Sequence, residues 1–290
     1  ILLGVTGFIG SNLLNELKKQ NFQVKVMIHK KNPKILVQNF SGNILTTKKL
    51  DSILKKGDVV VNLTGQISQN QSNFIHTNIL GAINLLDSCY KKKVKKVIFL
   101  SSINVYGENT KSASKETDSL NPLTFYGKVK LLTEEIYKSY AEMYGINVTI
   151  LRLSNIFGPN KKSGFVANLV NSLNDKKMKN LAFNKGNQYR DLLFIDDAVN
   201  GIISAVKNSK RGLNIYNISS GNRFSIKKII QTIEQLSQKK VNVKFSNDIP
   251  DEKCIWANNS KACKNLNFSP AVSLDDGLCL ILKKLKLSKK

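Results

Sequence analysis

The sequence predicts an α/β fold, in which a doubly wound parallel sheet is joined to a smaller α+β lobe formed by the C-terminal part. Over the first half of the chain, short apolar segments alternate with helical patterns, which is typical of βαβ units. A glycine-rich turn joins the first strand to the first helix, as in a phosphate-binding loop. Beyond Gly158-Pro159 short helices and strands are mixed, which indicates a separate lobe.

The predicted elements alternate in the order that a parallel sheet requires. The predicted strands are Ile1–Leu3, Gln23–Ile28, Val59–Leu63, Lys96–Ser101 and Asn147–Leu153, and the predicted helices are Gly10–Lys19, Thr47–Lys55, Asn73–Lys91 and Phe125–Tyr144. In the C-terminal part we predict helices at Phe165–Leu173 and Ser225–Leu236 and a strand at Asn242–Phe245. We therefore expect a dinucleotide-binding domain over residues 1–157, to which the chain returns at about 192–218. Residues 158–191 and 219–290 form the expected substrate-binding lobe.

Length and composition are those of a globular protein of one or two domains. The chain has 290 residues, of which 41% are hydrophobic, and this is enough to bury a large core. No apolar segment has the length of a membrane span, and no secretory leader is recognisable. The four cysteines show neither disulfide nor zinc-site spacing, so we expect no metal and a cytoplasmic setting. Since Ile1 already lies in a predicted strand, we expect a few residues of that strand upstream.

The net charge of +25 raises the question of nucleic-acid binding. A basic surface must be localised to bind nucleic acid, whereas the lysines here are spread along nearly every segment. The densest groups are Lys91 to Lys96 and the tail from Lys283 to Lys290. We therefore do not expect a nucleic-acid partner. The positive field would instead help to attract a polyanionic small molecule.

The N-terminal glycines form the first candidate binding site. Gly4 allows a tight turn, Gly7 allows close approach of the backbone to a pyrophosphate, and Gly10 allows the helix to pack on the strand. The helix that follows offers free N–H groups and a partial positive charge to phosphates, at Phe8 and Ile9 as well as at the glycines. The spacing predicts a dinucleotide-binding loop.

A candidate acid–base pair lies in the middle of the chain. Tyr126 and Lys130 are four residues apart and therefore share one face of a helix. An ammonium group beside a phenol stabilises the phenolate and so lowers a pKa that is otherwise near 10. Ser102 ends a predicted strand, where its hydroxyl can face a substrate, whereas Ser101 is interpreted as a turn former or helix cap.

Several motifs in one order resemble the extended short-chain dehydrogenase/reductases, in the NAD-dependent epimerase/dehydratase family of nucleotide-sugar enzymes. The glycine loop, the serine at the strand end and the Tyr/Lys pair all match. The other matching segments are Ser101 to Gly107, Asn78 to Leu86, Leu151 to Pro159, Arg190-Asp191, Ile195 to Asp197 and Tyr216 to Ile218. The resemblance covers nearly the whole chain and implies a Rossmann-type sheet.

The resemblance implies a nucleotide-sugar 4-epimerase that uses NAD or NADP. Tyr126 would be the acid/base, Ser102 would bind the reacting oxygen, and Lys130 would hold the nicotinamide ribose and lower the pKa of Tyr126. Asn155 and Arg190 would hold the nucleotide diphosphate, together with Ser102 at the sugar. The implied cofactor-binding residues are Gly4, Gly7, Phe8, Ile9, Gly10, His29, Lys30, Asn43, Ile44, Leu63, Asn78, Tyr126 and Lys130.

Two departures from the family pattern bear on the expected reaction and on the expected cofactor. Dehydratases of the family have acidic residues after the catalytic serine or threonine, whereas Ile103 and Asn104 follow here, so we do not expect a 4,6-dehydratase. At the end of the second strand the family often has an Asp for the adenosine ribose. Ile28 stands there, followed by His29 and two lysines, which favours a 2′-phosphate and hence NADP.

Two other functions stay open at this point. The same residues would serve an NADPH-dependent 4-keto-sugar reductase, and a non-catalytic NAD(P)- or RNA-binding protein would use the same fold. Arg152 is interpreted as either a site residue or a structural ion-pair former. By analogy with the family we expect a homodimer formed through the helices Asn73–Lys91 and Phe125–Tyr144.

Overall fold

The computed structural model describes residues 1–29, 37–65, 71–109, 112–173, 181–184, 186–246 and 254–287. Its centre is a seven-stranded sheet with the order β11-β6-β5-β4-β1-β2-β3, in which every pairing is parallel. The order reverses beside β1, on either side of which lie β2 and β4. This is the doubly wound α/β sheet that the sequence predicts, and such sheets bind ligands at the carboxyl ends of the strands.

The elements of the first half alternate as expected. They are β1 (Leu2–Leu3), α1 (Phe8–Lys19), β2 (Lys25–Ile28), β3 (Gln38–Ser41), α2 (Thr47–Ile53), β4 (Val59–Asn62), α3 (Gln71–Ile75), a π-helical turn (His76–Leu80), α4 (Gly81–Lys91), β5 (Lys96–Ser102), a 3₁₀ turn (Ile103–Val105), α5 (Phe125–Tyr144) and β6 (Val148–Leu153).

Shorter elements follow in the C-terminal part, where three two-stranded pairs lie outside the main sheet. They are β7 (Asn155–Phe157), α6 (Phe165–Ser172), β8 (Leu181–Phe183), β9 (Tyr189–Arg190), β10 (Leu192–Phe194), α7 (Ile195–Asn208), β11 (Leu213–Ile218), β12 (Phe224–Ser225), α8 (Ile226–Ser237), β13 (Val243–Phe245), α9 (Ser260–Leu266) and α10 (Leu274–Leu287).

Helix α5 shows how the local sequence sets element boundaries. The Thr124 hydroxyl accepts a hydrogen bond from the Gly127 backbone N–H at 3.0 Å, so it caps the first turn. Gly145 ends the helix in the left-handed conformation, with φ of 64°, and its N–H is bonded to Ala141. Both ends are therefore fixed by capping residues, and the predicted bounds of this helix are confirmed.

The structure differs from the predicted elements in two places. The helix predicted over Asn73–Lys91 is interrupted by the π turn His76–Leu80. The short edge strand β3 was not predicted, because only one of its four residues, Phe40, is a large apolar residue. Lys30, which the cofactor prediction includes, lies outside the described residues.

The sheet is buried on both faces, as parallel sheets are. All seven residues of β5 and all six of β6 are buried. One apolar cluster packs α1 and α7 on one face and continues into α6, α8 and α10, and a second packs α2, α4 and α5 on the other face. The division into residues 1–157 with returning segments, and a C-terminal lobe, stays a prediction.

Candidate active site

The glycine loop lies between β1 and α1 at the carboxyl end of the sheet. Gly4 has φ of +84°, and a Cβ there would lie 2.8 Å from the backbone of Leu63. A Cβ at Gly10 would lie 2.4 Å from the Gly4 carbonyl oxygen. A Cβ at Gly7 would meet that same oxygen only at 3.5 Å. Packing inside the chain therefore requires glycine at two of the three positions, and at Gly7 it leaves room.

The first turn of α1 begins at this loop. Gly7 is the N-cap and provides no side-chain hydrogen bond to the helix, and no acidic residue lies in the first turn. The N–H groups of Phe8, Ile9 and Gly10 precede the regular hydrogen-bonding of the helix, so they are available to an anion. A backbone-lined, positively polarised concavity of this kind suits a pyrophosphate.

Asn78 lies in the π turn and is buried. Its amide nitrogen donates to the Phe74 carbonyl at 2.8 Å, whereas its Oδ1 has no hydrogen-bond partner in the described structure. A Cβ at Gly65, whose φ is +101°, would lie 2.3 Å from this oxygen. A buried acceptor without a partner is costly, so a ligand hydroxyl or amide that donates to Asn78 fits this position.

Ser102, Tyr126 and Lys130 come together at the end of β5. Ser102 is the last residue of the strand, and its hydroxyl acts on the Tyr126 phenol and lowers its pKa. Asn104 also donates to the Ser102 Oγ, through its backbone N–H at 3.2 Å and its side-chain amide at 3.0 Å. The Lys130 ammonium lies 6.0 Å from the Tyr126 ring centroid and donates to the Leu100 carbonyl at 3.1 Å.

The pKa values of this pair are governed by burial. Loss of solvent raises the pKa of Tyr126 to about 12, and the hydrogen bond from Ser102 lowers it only partly. Burial lowers the pKa of Lys130 to about 8, opposed by the negative charge of Glu134. In the ligand-free protein burial is the larger effect on the Tyr126 pKa, and the expectation that Lys130 lowers this pKa stays a prediction.

Ser101 differs from its sequence interpretation. It lies inside β5, and its hydroxyl donates to the Glu134 carboxylate in the core. Ser102 is instead the residue that caps the following 3₁₀ turn. The alternation of side chains along a strand explains the difference, because neighbouring serines must point to opposite faces.

Arg152 forms a buried ion pair, so that the structural interpretation is confirmed. Its Nη2 lies 2.7 Å from the Glu134 carboxylate, and the two side chains are 1% and 0% exposed. Its Nη1 donates to the Tyr106 hydroxyl at 2.9 Å, and that hydroxyl donates to Asn217 at 2.7 Å. Glu134 was missed from the sequence, although a carboxylate one helical turn after Lys130 was a signal for it.

The two residues predicted to hold the diphosphate lie on short strands of two different pairs, β7 with β10 and β9 with β12. Asn155 is exposed in β7, where its backbone and side-chain N–H groups donate to the Asp191 carbonyl at 3.1 and 3.3 Å. Arg190 ends β9, with its guanidinium 5.8 Å from the Phe165 ring centroid. Asn155 and Phe165 line a cavity of about 630 Å³ with the 156–162 segment, whereas Arg190 and the catalytic pair do not line it.

The remaining predicted cofactor residues lie along the same edge of the sheet. Leu63 follows β4, Ile44 is buried against Gly81, and His29 is exposed after β2. The Asn43 Oδ1 accepts the Leu45 N–H at 3.0 Å, so only its amide nitrogen is left to bind a base. The residues therefore form a track from β2 to β5 that fits an extended dinucleotide.

Comparison with known proteins agrees with this geometry. The model of the NAD dependent epimerase/dehydratase family matches residues 1–219. A relative from Bacillus subtilis strain 168, described as an uncharacterized UDP-glucose epimerase, is 31% identical over 96% of this chain and 95% of its own. A UDP-N-acetyl-alpha-D-glucosaminuronate decarboxylase of Bacillus cytotoxicus is also 31% identical, over 96% of this chain and 94% of its own.

A solved structure has the same fold over almost the whole chain. It is a tyrosine-to-phenylalanine mutant of UDP-glucuronic acid 4-epimerase from Bacillus cereus, in complex with UDP-4-deoxy-4-fluoro-glucuronic acid and NAD. The TM-score is 0.87 at 29% identity, and the match covers 99% of this chain and 98% of the other. The three proteins share UDP-sugar substrates, but they do not share one reaction.

Proposed function

The chain belongs to the NAD dependent epimerase/dehydratase family, and on that premise we propose that it is an NAD-dependent UDP-sugar 4-epimerase. The observation that carries the proposal is the meeting of Ser102, Tyr126 and Lys130 at the carboxyl end of β5. These are a hydroxyl, a phenol and an ammonium group within one site, beside a loop that fits a pyrophosphate. Epimerisation at C4 needs this set twice, first to remove a proton and then to return it.

Each side chain has a separate part in the proposed reaction. Tyr126 takes the proton from the C4 hydroxyl and later returns it to the ketone oxygen. The Ser102 hydroxyl holds the same oxygen while its charge changes. When bound, NAD supplies a hydride acceptor that becomes the hydride donor, and its positive charge together with Lys130 favours the Tyr126 phenolate.

The substrate class is inferred from the second lobe and the relatives. Arg190 offers a planar fork that suits a diphosphate, and Asn155 lies beside it on β7. The cavity that Asn155 lines, of about 630 Å³, offers room beside it for part of the nucleotide. UDP-glucose and UDP-glucuronic acid are the substrates to test first, since the relatives are named for them.

The residues after Ser102 argue against dehydration. Ile103 is buried and apolar, and Asn104 is occupied with the Ser102 hydroxyl. Neither is a carboxylate that can remove and return the proton that leaves with water. An NADPH-dependent 4-keto-sugar reductase is supported only by Ile28 at the end of β2.

Turnover of a UDP sugar without net cofactor consumption tests the proposal. The purified protein should interconvert UDP-glucose and UDP-galactose, or the corresponding uronates, with no lasting absorbance change at 340 nm. Tyr126→Phe should lower kcat by at least about 1,000-fold and leave NAD binding intact. Tyr144→Phe, on the exposed end of the same helix, is the matched control.

The outcomes separate the alternatives. Stoichiometric loss of NADPH with a 4-keto sugar would replace the epimerase by the reductase. Full activity of Tyr126→Phe would refute the mechanism. Mass spectrometry of the molecule released on denaturation should find NAD, because an epimerase retains its cofactor through the cycle.

We further propose a homodimer formed by α4 and α5. Large apolar side chains are exposed on these helices and on the turn before α4, among them Leu80 at 45%, Phe125 at 44% and Leu132 at 58%. Surface exposure of this kind on two packed helices favours a protein partner. Pairing of the two helices with their copies would cover it.

A further inference from the structure

We propose that Glu134 is a positioning residue for the catalytic pair: its carboxylate fixes β5 to α5 through Ser101 and supplies the negative charge that faces Lys130. This inference rests on the proposed function. It concerns a residue that touches neither the predicted substrate site nor the predicted cofactor site. Glu134 is fully buried, and a buried carboxylate needs a reason.

The first support is the position of Glu134 on α5. Tyr126, Lys130 and Glu134 are spaced by four residues and therefore form one stripe along the helix. The stripe faces the end of β5, where Leu100, Ser101 and Ser102 follow one another. The acid/base, the ammonium and the carboxylate thus meet three consecutive residues of one strand.

The second support is the pattern of contacts between this stripe and the strand. The Lys130 ammonium donates to the Leu100 carbonyl at 3.1 Å. Ser101 donates its hydroxyl to the Glu134 Oε1. Ser102, the next residue, acts on the Tyr126 phenol. Glu134 therefore holds the residue that precedes Ser102, and we infer that through this bond it sets the position of Ser102 relative to Tyr126.

The third support is the arrangement of charge. Glu134 is clamped by Arg152, whose Nε and Nη2 lie 3.1 and 2.7 Å from its oxygens. These bonds fix the carboxylate in one orientation. The negative charge of Glu134 then acts on two cations, Arg152 and Lys130. The ammonium of Lys130 is buried and has a pKa of about 8, and the charge of Glu134 is the contribution that keeps it from falling further.

The other groups that face Lys130 are mostly uncharged. Tyr126 lies one turn before it on α5, and the Phe99 ring and Leu100 carbonyl face it from β5. From β6 the Arg152 guanidinium reaches Glu134, and its Nη1 donates to the Tyr106 hydroxyl. Within the described structure, Glu134 is the acidic group that raises the Lys130 pKa.

Two substitutions separate the charge of Glu134 from its hydrogen bond. Glu134→Gln removes the charge and keeps an acceptor for Ser101. Ser101→Ala removes the bond and keeps the charge. The Lys130 titration is read by NMR of lysines labelled with ¹³C at Cε, and the Lys130 signal is identified by its loss in Lys130→Met. The pH profile of kcat is measured beside it for each variant.

Glu134→Gln should lower the Lys130 titration midpoint by about one pH unit and shift the alkaline limb of kcat down with it. The sign follows because an anion stabilises the ammonium form. Ser101→Ala should leave the midpoint unchanged and lower kcat by about tenfold, as expected for a misplaced hydroxyl. If the role of Glu134 were only structural, Glu134→Gln would lower the melting temperature without moving the Lys130 midpoint or the alkaline limb of kcat.

An unchanged Lys130 midpoint in Glu134→Gln would overturn the proposal, whatever the enzyme does to UDP sugars. A shifted midpoint in a protein without epimerase activity would instead refute only the proposed function. If Glu134→Gln does not fold, Glu134→Asp keeps the charge and shortens the reach. It should then match Ser101→Ala in both readouts, and an unaffected kcat in both variants would contradict the proposal.

Discussion

Single side chains at the end of β5 show how strongly burial controls protonation. Tyr126 is half-buried and stacks on Phe74, with ring centroids 5.9 Å apart. Desolvation raises its pKa to about 12 although an ammonium lies close to the ring. The ligand-free protein therefore holds Tyr126 in its neutral form, and in the proposed mechanism the positive charge of bound NAD favours the phenolate.

This gives a prediction at the residue scale. In the ligand-free protein, Tyr126 should show no phenolate absorbance near 295 nm up to about pH 10.5, since its pKa of about 12 lies above that range. Saturation with NAD should move the titration to lower pH. The signal is the wild-type spectrum minus that of Tyr126→Phe, and phenolate formation below pH 10 without NAD would contradict it.

Arg152 gives a second prediction at this scale. Arg152→Met should lower the free energy of unfolding by about 3–5 kcal/mol, because Glu134 would be left charged and unpaired in the core. The control is Lys138→Met, which breaks the exposed pair with Glu135 and should cost less than about 1 kcal/mol. Urea denaturation of both variants measures the difference. Equal losses of unfolding free energy would show that the buried pair stabilises the fold no more than the exposed pair does.

The sequence left Arg152 as either a site residue or half of an ion pair, and it could not predict the partner. Glu134 lies 18 residues away on a different element. Its place one helical turn after Lys130 marks the shared helix face but not its pairing with Arg152. The assignment of Ser101 as a cap was wrong for a similar reason. Its partner, Glu134, is brought near by the packing of α5 on β5.

At the scale of elements, two glycines of the same loop differ in whether the packing of the chain requires them. Gly10 is required by the contact of α1 with the Gly4 carbonyl, and Gly7 has only an ordinary contact there. Gly7 also has φ of −75°, which any residue adopts. We therefore expect its small size to serve a ligand rather than the fold.

Alanine at these two positions should have different effects. Gly10→Ala should lower the melting temperature markedly, because its Cβ would lie 2.4 Å from a backbone oxygen. Gly7→Ala should melt near the wild type and bind NAD at least about tenfold more weakly. Thermal unfolding and a fluorescence titration with NADH measure the two effects. Normal NAD binding by Gly7→Ala would remove Gly7 from the cofactor site.

The helix between β4 and β5 shows where local patterns fail. Apolar spacing predicted one helix over Asn73–Lys91, and the structure has an extra residue per turn at His76–Leu80. The π turn accompanies the burial of Asn78, whose amide binds back to Phe74. Widened turns of this kind occur at functional sites, and helix propensity does not encode them.

At the scale of the whole molecule, the exposed apolar side chains on α4 and α5 give the last prediction. Size-exclusion chromatography with light scattering should give twice the chain mass of 32.4 kDa. The Leu132→Glu substitution should shift the measured mass toward that of the monomer. Leu236→Glu, on α8, is the control because Leu236 is also exposed, at 38%, but lies outside the proposed interface. A wild-type monomer would refute the proposed dimer.

The fold of the whole chain was predictable from the alternation of strands and helices, since each parallel strand needs a crossover. The seven-strand order confirms it. The short strand pairs of the C-terminal part were mostly not predictable, because β9 and β12 have two residues each and depend on their partners. No helix in the described ranges is long and apolar enough to span a bilayer.

The contact between Gly65 and Asn78 has a consequence for how this sequence can change over time. Any side chain at position 65 would collide with the Asn78 amide, and φ of +101° adds backbone strain. A lineage that replaced Gly65 would first have to shorten residue 78, and would lose the buried acceptor in doing so. The two positions should therefore vary together or not at all, and a mutational scan of this pair should find no tolerated single replacement at position 65.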